Sequence, residues 1–252
     1  MFGSTESHYL SYAKKHNFKP STIALKDGTK AFWIGEPSAD HIVLYVHGGG
    51  WNTPGGYGHF ALTDSFLAEA RQRSKSVAFL LLQYDLVPHE TYPYQLRQTV
   101  EFLRYALTEL GKRPEQLMMM GDSAGGNMIL STLAHISHPN KDIAKLDVDG
   151  SMRGAVVMSP WVDFRNAGPT YQRNQMHDPV DVPTLRWWAK MYLNGKDDDF
   201  YNQPGRAPQE WWANLKVNDI LILAGGNEMM VEDIRSLGEK IKVSLSRSSC
   251  ED

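Results

Sequence analysis

The chain has 252 residues, of which 42% are hydrophobic and 22% are charged, a composition that suits one globular domain with its own core. Its formal net charge is -3 and no dense run of Lys and Arg occurs, so it lacks the basic surface that nucleic acids and anionic membranes require. The only cysteine, Cys250, has no second cysteine with which to form an intrachain disulfide, and nothing indicates an oxidising compartment.

The N-terminal residues 1–19 are the first feature along the chain. They mix polar, charged and scattered apolar side chains, without the continuous apolar stretch of a signal peptide. No later segment is long and apolar enough to span a bilayer. We therefore expect a cytoplasmic protein with no membrane span.

A β-hairpin is predicted next. Thr22–Leu25 and Lys30–Ile34 flank the dipeptide Asp27-Gly28, which favours a tight turn between two antiparallel strands. We interpret these residues as an entry hairpin to the fold.

After the hairpin, short apolar runs alternate with segments of helical periodicity. The runs that predict strands are Ile42–Val46, Val77–Gln83, Leu117–Met120, Gly154–Ser159 and Ile220–Ala224. The first two lack the period-two alternation of a half-exposed strand, which is typical of buried parallel strands. Helices are predicted between the strands, including one from Ser123 through Leu133 and one over 231–241, with a polar tail after it from Ser244. The pattern predicts an α/β protein with a doubly wound, mostly parallel sheet and helices on both faces.

Residues 166–214 interrupt this alternation with prolines, aspartates and clustered tryptophans. The stretch is longer than the usual connections in such sheets. We interpret it, together with residues 1–20, as a small cap on a single domain of residues 1–252. A packed surface helix with a loop is the alternative, because tryptophans are buried in many settings.

The segment Gly121-Asp122-Ser123-Ala124-Gly125 fits the pattern Gly-x-Ser-x-Gly. It lies between a predicted strand and a predicted helix, where the same pattern places a nucleophilic serine on a strained turn above the sheet. Small neighbouring residues let the backbone turn without a clash. The alternative is a glycine-rich turn in which an ordinary serine caps the helix.

A second motif, His47–Trp51 with three successive glycines, directly follows a predicted strand. Glycines let backbone N–H groups face a ligand, and such donors stabilise the negative charge that builds on the oxygen of an attacked ester carbonyl. We predict oxyanion donors at Gly48, Gly49 and Ala124. A nucleotide phosphate loop is the alternative, but its motifs are absent. His47 precedes the glycines, so we expect it to brace the loop rather than act as the base.

With both motifs in place, the sequence resembles the hormone-sensitive-lipase-like branch of the α/β hydrolases, especially fungal esterases of that branch. The resemblance runs from about Phe18 to Ile241. It also includes the segments Tyr84–Pro88, Ser159–Asp163 and Glu210–Trp212. It implies an α/β-hydrolase fold and a carboxylic-ester hydrolase that acts on small or medium acyl esters with Ser123 as the nucleophile.

Neither a metal nor a cofactor is expected, because His-Glu-x-x-His, Cys-x-x-Cys and comparable ligand patterns are absent. The expected partner is a small-molecule ester. Trp51, Phe60, Trp161 and the aromatic residues of the predicted cap suggest an apolar pocket for it, and ordinary core packing is the alternative.

In the family that the sequence resembles, the acid of the catalytic triad follows the seventh strand. Glu228 occupies that place after Ile220–Ala224, so the resemblance implies that Glu228 orients the catalytic imidazole. Asp233 is the alternative, although the apolar spacing after Val231 indicates a helix that Asp233 could simply begin.

The resemblance places the catalytic histidine after the acid, but all nine histidines precede Glu228. We therefore expect the final strand and the base of the family to be missing from this chain. His177, in the predicted cap, is the one substitute we consider, and a solvent-exposed cap histidine is the alternative. Three hypotheses stay open: an esterase with impaired activity, a small-molecule binder without turnover, and a truncated inactive product.

Overall fold

The computed structural model describes residues 3–248, which fold around one mixed sheet of seven strands. The strands are β1 (Thr22–Ala24), β2 (Lys30–Ile34), β3 (His41–Val46), β4 (Val77–Gln83), β5 (Leu117–Asp122), β6 (Gly154–Met158) and β7 (Ile220–Leu223). Their order across the sheet is β1-β2-β4-β3-β5-β6-β7. The pairings β1 with β2 and β2 with β4 are antiparallel, and all others are parallel. The predicted doubly wound, mostly parallel sheet is confirmed.

The entry hairpin forms where it is predicted. Thr22 pairs with Phe32 and Ala24 with Lys30 in an antiparallel register. In the turn, Gly28 has a φ of 86°, a left-handed conformation that costs glycine little because it has no Cβ. Asp27 Oδ1 accepts the amide hydrogen of Thr29 at 2.9 Å, which stabilises the turn.

The described residues also form seven α-helices. They are α1 (Thr5–Lys15), α2 (Tyr57–Gln72), α3 (Tyr94–Thr108), α4 (Ser123–Ser137), α5 (Pro169–Arg173), α6 (Val182–Leu193) and α7 (Val231–Ser248). Helix α4 continues four residues beyond its predicted end, and α7 extends through residues 244–248 of the predicted polar tail. Cys250 lies outside the described residues. None of the helices within residues 3–248 combines the length and apolar composition that crossing a bilayer requires.

Both faces of the sheet are packed, because successive side chains of a strand point to opposite sides. On β3, Leu44 contributes to a core that includes residues of α3, α4 and α7, whereas Tyr45 contributes to a second core with residues of α1 and α2. Both side chains are fully buried. Complete burial of a leucine side chain such as that of Leu44 contributes about 1.5–3 kcal/mol to folding, and each layer of helices packs on its own core.

Strand β7 differs from the buried parallel strands. Its residues Ile220 and Ile222 pack against the core that includes α7, but Leu221 is 51% exposed and Leu223 is 44% exposed. The two leucines point to the opposite face of the sheet, where within residues 3–248 no helix covers them. Within residues 3–248, β7 is therefore a half-exposed strand at the edge of the sheet, although its composition is that of a buried one.

Candidate active site

The nucleophile motif lies at the junction of β5 and α4, as predicted. Ser123 is the first residue of α4 and has a φ of 49°, a conformation that non-glycine residues rarely adopt and that is found at functional turns. A Cβ atom at Gly125 would lie 2.0 Å from the carbonyl oxygen of Val46, so only glycine lets the helix start this close to β3. Among the described residues nothing hydrogen-bonds the hydroxyl of Ser123, and the side chain is half-buried.

The second motif, His47–Trp51, which we call the glycine segment, lies beside this turn. It follows β3, which is the neighbour of β5 in the sheet, and the winding direction of the chain reverses between these two strands. Ligands of open α/β sheets bind at such a switch point, outside the carboxyl ends of the strands. The structure therefore brings the two predicted motifs together.

One of the predicted oxyanion donors is already occupied. The amide of Gly48 donates to Asp122 Oδ1 at 3.0 Å, so its hydrogen is not free for a ligand, and the prediction for Gly48 is revised. The amides of Gly49 and Gly50 have no acceptor among the described residues, and both residues have a positive φ. The amide of Ala124 belongs to the first turn of α4, whose N–H groups have no acceptor within the helix.

The carboxylate of Asp122 connects several elements. Besides Gly48, it accepts a hydrogen bond from the hydroxyl of Tyr45 at 2.8 Å, and Oδ2 lies 3.6 Å from Nε2 of His59. His59 Nδ1 accepts the amide hydrogen of Gly56 at 2.9 Å, so in the neutral ring Nε2 carries the proton that faces Asp122. Burial alone would raise the pKa of Asp122, but its bonds to His59 and Tyr45 hold this pKa below the usual value.

His47 braces the glycine segment, which confirms the prediction. Its Nδ1 lies 2.7 Å from the carbonyl oxygen of Gly48, and its ring stacks on Tyr84 with the centroids 4.4 Å apart. Tyr84 in turn donates its hydroxyl hydrogen to the carbonyl oxygen of His47 at 3.0 Å. Complete burial, together with the nearby His59, lowers the pKa of His47 to about 4, so its ring is neutral at physiological pH.

Glu228 lies on the turn after β7, and only one of its oxygens is held. Oε1 accepts hydrogen bonds from the hydroxyl of Ser159 at 2.6 Å and from the amide of Gly225 at 2.8 Å. Oε2 is buried and has no partner in the described part of the chain. Ser159 has a φ of 45°, so it too is held in a rarely adopted conformation. The carboxylate is thus fixed with one acceptor unused.

Residues of the predicted cap hold the turn that carries Glu228. Asn174 Nδ2 donates to the carbonyl oxygen of Glu228 at 2.9 Å, and Asp178 Oδ2 accepts the amide hydrogen of Met229 at 3.0 Å. The rival acid, Asp233, is in the first turn of α7 and accepts the hydroxyl hydrogen of Tyr171 at 2.8 Å. Three side chains of residues 171–178 therefore anchor this turn and the start of α7.

None of the nine histidines, all of which are among the described residues, hydrogen-bonds to Ser123 or Glu228. They are His8, His16, His41, His47, His59, His89, His135, His138 and His177. His177 immediately precedes Asp178, but its side chain is exposed and makes no hydrogen bond within residues 3–248. Nothing in the described residues therefore places an imidazole between the serine and the acid.

Helix α6 of the predicted cap lies directly on the glycine segment. The ring of Tyr192 stacks on Trp51 with the centroids 3.7 Å apart and an interplanar angle of 7°. Trp188 contacts Gly50, because a Cβ atom there would lie 2.2 Å from the indole. Trp51, Phe60 and Trp161 themselves are buried, so they fill the core rather than line an open pocket.

Sequence reasoning missed several residues of this site. The turn that carries Glu228, which we call the acid turn, is positioned by Ser159, Asn174 and Asp178. Asp122 is contacted by His59. None of these four residues belongs to a local catalytic pattern. Their partners lie between 51 and 69 residues away along the chain. Only the fold brings these residues together.

Known proteins match the chain over most of its length. A family model described as steryl acetyl hydrolase matches residues 14–250. A candidate steryl acetyl hydrolase from Schizosaccharomyces pombe is 27% identical over 255 residues, covering 94% of this chain and 64% of that protein. Steryl acetyl hydrolase 1 of Saccharomyces cerevisiae is 24% identical over 224 residues, covering 82% of this chain and 49% of that protein. The chain thus spans about half to two thirds of the length of these relatives.

The fold is shared with a solved esterase of the bacterial hormone-sensitive lipase family. The two superpose with a TM-score of 0.73 at 25% identity, over 97% of this chain and 79% of that chain. The α/β-hydrolase fold implied by the two motifs is therefore confirmed.

Proposed function

We propose that this chain, which belongs to the steryl acetyl hydrolase family, is a serine hydrolase of carboxylic esters with a small or medium acyl group. One observation carries the proposal. The hydroxyl of Ser123 has no competing partner among the described residues, and its strained turn lies beside glycine amides that are equally free. This pairing of a nucleophile with unoccupied N–H donors is what acyl transfer requires.

Ser123 acts as the nucleophile. Its Oγ attacks the ester carbonyl, and the amides of Gly49, Gly50 and Ala124 receive the negative charge that forms on the carbonyl oxygen. Each such donor lowers the barrier by about 3 kcal/mol. The ester C–O bond breaks and the alcohol leaves with a proton from solvent, while the hydroxyl proton of Ser123 passes to water because no described histidine contacts it. A second water then hydrolyses the acylated serine and releases the acid.

Glu228 serves as the acid of the site. Its Oε1 is held by Ser159 and Gly225, and its Oε2 is the acceptor to which a basic imidazole would donate. No histidine among the described residues binds there. Loss of the histidine from a catalytic triad lowers turnover by about a millionfold, so we expect slow hydrolysis by the 252-residue chain alone.

Acetyl esters of sterol-like alcohols are the first substrates to test. The support is the description of the matching family and the name of the Saccharomyces cerevisiae relative. Both names specify an acetyl group on a sterol, which is a small acyl chain joined to a large apolar alcohol.

A second candidate function is ligand binding without turnover. It is favoured by the unpartnered Oε2 of Glu228 and by the lack of any described histidine at Ser123. In that case the chain retains the serine and the glycine segment of an esterase and holds the ester or alcohol without cleaving it.

Hydrolysis of p-nitrophenyl acetate and cholesteryl acetate by the whole chain and by Ser123→Ala tests the proposal. We expect a slow rate that the substitution abolishes. Equal rates in the two proteins would contradict the proposal. Saturable binding of cholesteryl acetate in both proteins, without turnover in either, would support the second candidate instead.

A further inference from the structure

We propose that Trp188 is the specificity-determining wall of this site, and that it limits the size of the ester group next to the glycine segment. The inference rests on the proposed function and deepens it. It concerns which esters fit, and it does not depend on how the serine loses its proton.

The indole of Trp188 lies against the backbone of the glycine segment. A Cβ atom at Gly50 would lie 2.2, 2.6 and 2.9 Å from the indole atoms Cε3, Cδ2 and Cζ3. These atoms belong to the six-membered ring, so this ring covers Gly50, which is buried. Gly49, the preceding residue, stays half-exposed and has a free amide. The indole thus closes the side of the segment toward which a Gly50 side chain would point, and Thr53 lies at the corresponding position of Gly49, where a Cβ atom would be 2.1 Å from Thr53 Oγ1.

The position of Trp188 is fixed by the helix that carries it. Tyr192 lies four residues later, on the same face of α6, and stacks on Trp51. The carbonyl oxygen of Tyr192 accepts the amide hydrogen of Tyr92 at 2.9 Å. At the other end of α6, Asp181 caps the helix by accepting the amide hydrogen of Thr184 at 2.9 Å. The contacts of Tyr192 with Trp51 and Tyr92 therefore anchor α6, and a larger ligand group cannot push Trp188 aside without disturbing them.

An ester bound for attack must bring its groups close to this wall. Its carbonyl oxygen lies at the free amides beside Gly49, so the acyl chain and the alcohol both extend from a carbon within a few ångströms of the glycine segment. One of the two must pass the Trp188 side. A single methylene too many in a closed pocket changes kcat/KM by about 10-fold or more. A small acetyl group satisfies this limit, whereas a long chain on that side does not.

The adjacent tryptophan provides a matched control. Trp187 is on the same helix, and its side chain is 53% exposed because consecutive helical residues point about 100° apart. Truncating Trp187 removes an equally large side chain from α6 without touching the glycine segment. Any effect that is specific to Trp188 therefore reports its contact with Gly50.

The test compares the whole chain with Trp188→Ala, Trp188→Leu and Trp187→Ala. One ester series varies the acyl chain (p-nitrophenyl acetate, butyrate and octanoate), and another varies the alcohol (phenyl and 1-naphthyl acetate). We expect Trp188→Ala to raise the kcat/KM ratio of large to small ester at least 10-fold in one series, with Trp188→Leu intermediate and Trp187→Ala unchanged. Thermal melting of each variant confirms that it is folded, and Trp188→Leu retains apolar packing if Trp188→Ala does not fold.

The same variants are labelled with ethyl and octyl fluorophosphonates, and mass spectrometry follows the rate of adduct formation at Ser123. This readout needs only one reaction per molecule, so it applies even when turnover is slow. Ratios within twofold of the unsubstituted chain in every series would overturn the inference and leave the proposed function standing. No adduct at Ser123 in the unsubstituted chain would overturn both.

Discussion

Asp122 Oδ1 accepts the amide hydrogen of Gly48 at 3.0 Å, which ties the glycine segment to the residue directly before Ser123. The same oxygen accepts the hydroxyl hydrogen of Tyr45. The position of the free amides beyond Gly48 relative to the nucleophile therefore depends on this carboxylate as well as on the pairing of Val46 with Gly121. Asp122 is a positioning residue, because it affects the reacting atoms only by holding the glycine segment in place.

We expect Asp122→Ala to lower kcat, or the rate of phosphonate labelling, by about 10- to 100-fold, with KM little changed. The loop amides act mainly on the transition state, so losing their alignment costs kcat rather than binding. Asp40→Ala is the control, because Asp40 is exposed and directly precedes the opposite end of β3. Parallel losses in both variants, or a rise in KM alone, would contradict the positioning role.

Ser159 combines a hydrogen bond to the acid with an unfavourable backbone conformation, and two substitutions separate these effects. Ser159→Ala loses the bond to Glu228 and keeps the strain, whereas Ser159→Gly loses the bond and relieves it. Because a left-handed residue costs about 1–2 kcal/mol when it carries a Cβ, urea unfolding should find Ser159→Gly more stable than Ser159→Ala by about 1 kcal/mol. If the alanine variant is the more stable of the two, the φ of 45° at this position carries no strain.

Gly50→Ala should destabilise the fold by about 2–4 kcal/mol. The new Cβ meets the indole of Trp188, and alanine disfavours the φ of 59° at this position. The double variant Gly50→Ala/Trp188→Ala removes the steric conflict but not the backbone strain. Its loss in unfolding free energy should therefore be smaller than the sum of the two single losses. Simple additivity would show that Trp188 and Gly50 are not in contact.

The stability of the protein should fall in mild acid because of His47. Its pKa is about 4 in the folded chain and about 6.5 when unfolded, so the unfolded state binds more protons between these values. The unfolding free energy therefore rises with pH across this window, and acidification from pH 7 to 4 removes about 3 kcal/mol. His135, whose pKa burial also lowers, adds to the same trend.

Urea unfolding at several pH values from 7 to 4 tests this predicted loss of stability in acid, with His47→Gln as the comparison. The variant lacks the titrating ring, so its unfolding free energy should fall less steeply as the pH is lowered. The other titrating groups are the same in both proteins, so their contributions cancel in the difference between the two curves. Curves of equal slope for the two proteins would show that His47 is not buried in its neutral form.

The sequence allowed the two motifs and most strands to be predicted because their causes are local. A glycine-serine-glycine turn after an apolar run, and three glycines after another, restrict the backbone wherever they occur. Parallel order then places both at adjacent strand ends. The use of the Gly48 amide by Asp122 could not be predicted, since the two residues are 74 apart in sequence and Asp122 carries no signal of its own.

The same limit applies to the acid turn and the sheet edge. Ser159 follows an apolar strand as an ordinary serine would, and only the pairing of β6 with β7 brings it to Glu228. Leu221 and Leu223 have the composition of a buried strand, but burial depends on which element lies opposite. The sequence pattern of β7 does not show which element lies opposite the strand.

Whether Ser123 is a nucleophile is tested by peptide mass spectrometry of the whole chain after reaction with a fluorophosphonate. We predict one adduct, on the peptide that contains Ser123, and no adduct in Ser123→Ala. A chain that stays unmodified, or an adduct that forms equally in both proteins, would contradict the account.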